Sequence, residues 1–141
     1  MRNDWFTAVE DSQELRSLSR RSWWDKFAEA AHGIKLGVRG QASFCVHFFF
    51  AVLAVAAAIL LECDRLEWCL IVLCIGIVLT AELFNSALET LFHGLDPATR
   101  ARLVGVLDIA AGAVLLASLT AVLVGVFIFV PRLLFFTTGS W

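Results

Sequence analysis

The sequence predicts an all-α membrane protein: one amphipathic surface helix followed by three transmembrane helices. Three observations carry that expectation. Of 141 residues, 60% are hydrophobic and only 17% charged. Three apolar runs are each long enough to cross a bilayer, and an amphipathic stretch of helical period precedes them. Such a chain is too apolar for an ordinary soluble domain, so it reads as a single domain whose core includes lipid or other membrane helices. The net charge of -2, with no basic-aromatic patch, gives no sign of a nucleic-acid surface.

Residues 1–21 are polar and mixed in charge, ending in Arg20 and Arg21, and form an extension with no assigned task. The membrane domain spans 22–136, with 137–141 as a short tail. Ser22 is a plausible N-cap for a surface helix over 23–39. There Phe27, Ala31, Ile34 and Val38 fall on one arc, while Asp25, Lys26, Glu29, His32, Lys35 and Arg39 occupy the other. Trp23 and Trp24 suit the headgroup depth of a membrane interface.

The first crossing, 44–61, has eighteen residues with His47 as its only ionisable group. At helical rise it spans about 27 Å, enough for the hydrocarbon core. A short acidic turn, Glu62 to Glu67, leads to a second crossing over 67–92. A polar loop follows from His93 to Arg102, with Gly94 and Pro97. The third crossing occupies 103–130, and its Ala113, Ala117, Ala121 and Gly125 recur every fourth residue as a candidate packing seam. Cys45, Cys63, Cys69 and Cys74 form no CxxC pair and read as small buried hydrophobes. No cleavable signal is expected, because the first apolar run begins only at Phe44.

Basic residues set the expected orientation. Seven Lys and Arg precede the first crossing, one lies in the first turn, two in the second loop and one after the third crossing. The positive-inside rule then places the N-terminus and second loop in the cytoplasm, with the first turn and the C-terminus outside.

The stretch Glu82-Leu83-Phe84-Asn85-Ser86-Ala87-Leu88-Glu89 is the candidate site. Trp68 to Ala81, immediately before it, is fourteen residues without a charge. On a helix, Glu82, Asn85 and Glu89 lie within roughly 60° of one another around the axis. A carboxylate near hydrocarbon is costly unless paired, metal-bound or wet, so the stripe is a functional candidate. The alternative places these acids just past the membrane edge in headgroup water. Asp108, across the second loop, belongs at the same side. Oxygen ligands without His or Cys clusters suit magnesium shared with nucleotide phosphates, and a remaining carboxylate could take the proton of a membrane-embedded alcohol. No Walker loop is present, since Gly33, Gly37 and Gly40 lack its spacing and its Lys-Ser/Thr.

The run Glu82-Leu-Phe-Asn85-Ser86-Ala87-Leu-Glu89 resembles the ExxNTAxE signature of the bacterial diacylglycerol kinase and undecaprenol kinase family. Asp108-Ile-Ala-Ala-Gly-Ala-Val-Leu-Leu-Ala is similar to that family's third-crossing segment. Gly33-Ile-Lys, Phe44 with His47, and Glu67-Trp68 agree in order and spacing, so the resemblance covers about Trp24 to Arg132. It implies a homotrimeric lipid kinase with sites shared between subunits, transferring the γ-phosphoryl of ATP to undecaprenol or diacylglycerol with Mg2+. Glu82 would be the general base, Asn85 would support that site, Glu89 would hold the nucleotide's magnesium, and Asp108 would lie at the nucleotide end. Gln41 stands where the family has a second metal-binding Glu. His93, Leu107, Val104 and Cys45 replace an Asp, two Lys and an Arg. These departures thin the nucleotide side while keeping the base. They leave open a weakened or inactive member acting as a binding or scaffold protein, or an enzyme using another donor.

Overall fold

The computed structural model describes residues 22–38 and 42–138. The expected extension over 1–21, Arg39 at the end of the surface helix, Gln41 and the last residues, 139–141, lie outside the described residues. Four helices follow in order: α1 (Trp23–Val38), α2 (Ala42–Leu60), α3 (Arg65–Gly94) and α4 (Pro97–Thr138). The chain divides into two units, residues 1–36 and 37–141.

In the first unit, α1 begins where Ser22 can cap it. The Ser22 hydroxyl accepts from the Trp24 amide at 3.3 Å, and Asp25 accepts from the Ser22 amide at 3.0 Å. These reciprocal bonds satisfy backbone donors that the first turn leaves open. Lys26 places its ammonium 4.7 Å from the centroid of the Trp23 ring. No residue of α1 is buried, and Trp23, Trp24 and Phe27 are all exposed. The helix is amphipathic with an uncovered apolar face.

The second unit holds three helices long and apolar enough to cross a membrane. Its outward faces carry large apolar side chains, among them Phe48, Phe49, Leu116 and Phe127, while few are buried. Water would not tolerate that inversion, but hydrocarbon does. The core is a small cluster of Ala58, Ile71 and Ile128, flanked by Ala54, Trp68, Ile75 and Val124. Helices α3 and α4 pack most extensively, and α2 lies more loosely against them.

Helix lengths fix the register. At 19 residues α2 is about 28 Å long, close to a hydrocarbon thickness, whereas α3 at 30 residues is about 45 Å. Both leave the same short turn, so the start of α2 comes level with Glu82 and the last turns of α3 run on past it. Helix α4 is longer than the predicted 103–130, and the predicted loop from His93 to Arg102 shrinks to Leu95 and Asp96. The reason is a helix start inside that segment. Asp96 accepts from the amides of Ala98 and Thr99 at 3.0 and 3.1 Å and from the Thr99 hydroxyl at 2.6 Å. Pro97 follows at the first helical position, where its missing N–H costs nothing. The Thr99 contacts hold the Asp96 carboxyl below its ordinary range. At its far end α4 continues through Pro131.

Two further expectations change. The cysteines are all free but none is buried: Cys45 and Cys69 are exposed, and Cys63 and Cys74 half-buried. An outward position in a membrane helix asks only for an apolar side chain, which a thiol satisfies. The four-residue ladder on α4 is a partial seam, with Ala113 exposed while Ala121 and Gly125 turn inward. A repeat of four advances about 40° per step on a helix of 3.6 residues per turn, so the ladder drifts off its face.

The turn between α2 and α3 is closed by backbone and charge together. The Cys63 amide donates to Ala58 O at 3.0 Å and the Glu62 amide to Ile59 O at 3.3 Å, with Glu62 at φ 52°. This is a Schellman ending with a glutamate where glycine is the usual occupant. Arg132 reaches across from α4, donating from Nε to Glu67 Oε1 at 3.2 Å and from Nη1 to Glu62 O at 2.7 Å, while Nη2 lies 2.7 Å from Glu67 Oε2. Asp64 caps α3 in a capping box with Glu67. Burial and then the neighbouring Glu67 push the Cys63 thiol up, away from its reactive form. Because Glu62 occupies the left-handed region, Glu62→Gly should relieve about 1 kcal/mol of strain and raise stability. Reversible unfolding in mixed micelles checks this, and a loss of stability would contradict it.

Candidate active site

The polar stripe of α3 forms as its spacing predicts. Glu82, Asn85 and Ser86 are all buried, and Glu82 is only 1% exposed. An acid in headgroup water would be open to solvent, and Glu82 is not. Glu82 lies against the first turns of α2. The Ser43 hydroxyl donates a short hydrogen bond to Glu82 Oε1, and His47 Nε2 lies 3.7 Å from Glu82 Oε2. Within low-dielectric surroundings the Ser43 hydrogen bond offsets part of the desolvation cost of the carboxylate.

One turn further along α3, Asn85 Nδ2 donates to Glu89 Oε1 at 2.8 Å, and the half-buried Glu89 is thereby held on the same face. Asn85 Oδ1 and the Ser86 hydroxyl are buried and have no hydrogen-bond partner among the described residues. The Thr90 hydroxyl donates to Ser86 O at 2.8 Å. Two buried polar atoms in one stripe are expensive to leave unmade, and such atoms concentrate where a ligand completes them.

Asp108 stands apart. Glu82 and Asp108 are about equally far from the Leu95–Asp96 turn, about 18 Å along their helices. Asp108 is nevertheless exposed, and no hydrogen bond or ion pair joins it to the stripe among the described residues. Leu107 beside it is half-buried and Val104 exposed. Arg100 donates from Nη2 to His93 O, closing the last turn of α3. Gln41 falls outside the described residues, so the structure brings together Glu82, Asn85 and Glu89 of the expected set.

Among the described residues, no group of three or more His, Cys, Asp and Glu side chains could hold a metal by itself. Glu89 adds one half-buried carboxylate to the stripe, its Oε1 accepting from Asn85 Nδ2. That suits magnesium arriving on phosphates with its own water rather than an all-protein cage.

Sequence reasoning singled out His47 as the lone ionisable group of its crossing and as part of the family resemblance, gave it no role in the site, and passed over Ser43. Their signal is a spacing of four, which puts both on one face of an otherwise apolar helix. His47 also lines an open groove of about 750 Å³ between α2, α3 and α4. The walls run from Val46 and His47 to Leu61 and Leu133 and are apolar apart from His47 and Ser118. The Ser118 hydroxyl is buried without a partner among the described residues.

The sequence matches the family described as "Prokaryotic diacylglycerol kinase" over residues 28–129. An undecaprenol kinase of Bacillus subtilis is 29% identical over 123 residues, spanning 87% of this chain and 99% of that protein. A diacylglycerol kinase of Synechocystis sp. is 34% identical over 116 residues, spanning 77% of this chain and 62% of that protein. No solved structure gives a significant match. With three bilayer-length helices and a match over most of its length, the chain is a membrane protein belonging to the prokaryotic diacylglycerol kinase family.

Proposed function

We propose that the protein transfers the γ-phosphoryl group of Mg-ATP to the hydroxyl of a long-chain lipid alcohol, undecaprenol or diacylglycerol, at the cytoplasmic face of a bacterial inner membrane. The observation that carries this reading is a carboxylate only 1% exposed, flanked by the His47 that also lines an apolar groove. A greasy alcohol reaches such a base from the membrane, and a water-soluble acceptor does not. The relatives named as kinases of undecaprenol and of diacylglycerol support the same acceptor class.

In this reading Glu82 is the general base. Its carboxylate takes the hydroxyl proton as the lipid oxygen forms a bond to the γ-phosphorus. The bond from that phosphorus to the bridging oxygen breaks, and its electron pair leaves with ADP. Asn85 orients Glu89 through its amide, and its own Oδ1 is buried without a partner among the described residues. Glu89 would hold the magnesium carried by the nucleotide, with Gln41 in the place of a second ligand, and the metal would neutralise charge on the phosphates. Asp108, exposed on α4, would meet nucleotide from a neighbouring subunit of a homotrimer. The excess of Lys and Arg before α2, with Arg100 and Arg102 in the first turns of α4, supports a cytoplasmic location for this end.

Purified protein in lipid nanodiscs, supplied with radiolabelled ATP and each alcohol, tests the reading. Phosphorylated lipid should form with magnesium present. It should fall by about 100-fold or more in Glu82→Gln and disappear when the metal is chelated. Turnover equal in wild type and Glu82→Gln would overturn it. A second outcome concerns the unpartnered Ser86 hydroxyl. Ser86→Ala should raise stability by about 1–3 kcal/mol while lowering kcat, because a group costly to the empty site serves the occupied one. Denaturant titration beside the same transfer assay reads both.

A further inference from the structure

We infer that Ser43 is a positioning residue that anchors one oxygen of Glu82 and leaves the other, beside the His47 side chain that walls the groove, as the reacting atom. This inference rests on the lipid-kinase reading above and deepens it. Neither residue belongs to the acidic signature on α3, and both come from α2. Ser43 donates its hydroxyl to Oε1, so that oxygen is fixed and part of its basicity is engaged. Oε2 faces His47 Nε2 at 3.7 Å, which is too long for a direct hydrogen bond. The two oxygens are therefore unequal: Oε1 is held, and Oε2 is the one open to accept a proton.

The path to Oε2 follows from the same side chain. His47 forms part of the groove wall while facing the carboxylate. In this reading an alcohol whose chain lies along the groove reaches Oε2 past the imidazole, since His47 and not Glu82 lines the groove. A glutamate in a bundle has three side-chain torsions to settle. Without the Ser43 hydroxyl, no other hydrogen bond among the described residues holds Oε1, and the carboxylate can rotate so that its two oxygens exchange places. A general base misplaced by even a fraction of its reach loses rate and not binding.

Two readouts test this, one independent of turnover. In the transfer assay, Ser43→Ala should lower kcat by about 10- to 100-fold. Its KM for the lipid alcohol should stay within about twofold of wild type, the mark of an effect confined to the reacting state. Ser43→Thr, which keeps the hydroxyl, should recover most of the loss. His47→Ala should instead act mainly on KM, since it alters the groove wall. Infrared difference spectra identify the carboxylate stretching band that Glu82→Gln removes. That band should shift in Ser43→Ala and return in Ser43→Thr, with helix content by circular dichroism unchanged in both. An unmoved band in folded Ser43→Ala, or a kcat equal to wild type, would overturn the inference. If the wild type phosphorylates neither alcohol, the kinase reading fails, and the infrared arm still decides whether Ser43 positions Glu82.

Discussion

A carboxylate removed from water must be compensated by its neighbours, and Glu82 is the place where this protein meets that demand. At the level where α2 begins, α3 carries a glutamate only 1% exposed within a bundle whose outer surface is hydrocarbon-like. An isolated charge there would cost several kcal/mol. The Ser43 hydroxyl and the His47 imidazole stand against its two oxygens, and the polar stripe continues through Asn85 to Glu89. Everything that orders this end of the bundle, from helix length to turn closure, serves to bring those groups to one height.

The register depends on the opposite end. The Schellman ending of α2, the capping box of α3 and the Arg132 contacts to Glu67 and Glu62 O hold the turn from which both helices are measured. A shift of one residue there would turn Ser43 about 100° away from Glu82. The groove between α2 and the other two helices accompanies the loose packing of α2, and it leaves apolar space beside His47, the neighbour of the enclosed acid.

Much of this was legible in the chain because the determining relations are local. Glu82, Asn85 and Glu89 share a face by helical spacing alone, and the uncharged run before them marks the crossing. Ser22 as a cap and the three membrane helices follow from equally local signals. The contact from Ser43 to Glu82 spans 39 residues, and it emerges only when helix length and turn geometry are fixed. The start of α4 was obscured because Asp96 and Pro97 sit in a polar segment that reads as loop, although together they spell a helix N-terminus. The exposure of Asp108 and the outward cysteines could not be read from apolarity, since a membrane helix is apolar on its outer face as well. The resemblance to the lipid-kinase family carried roles for residues that spacing could only group.

The most direct test is the distance between the acceptor oxygen and the Glu82 carboxylate, in an experimental structure of the protein in nanodiscs with a lipid alcohol and a non-hydrolysable Mg-ATP analogue. The account predicts that the lipid hydroxyl lies about 2.6–3.2 Å from Oε2, with its chain along the groove beside His47. A lipid hydroxyl bound elsewhere, with Glu82 still enclosed between α2 and α3 and out of hydrogen-bond reach, would contradict it.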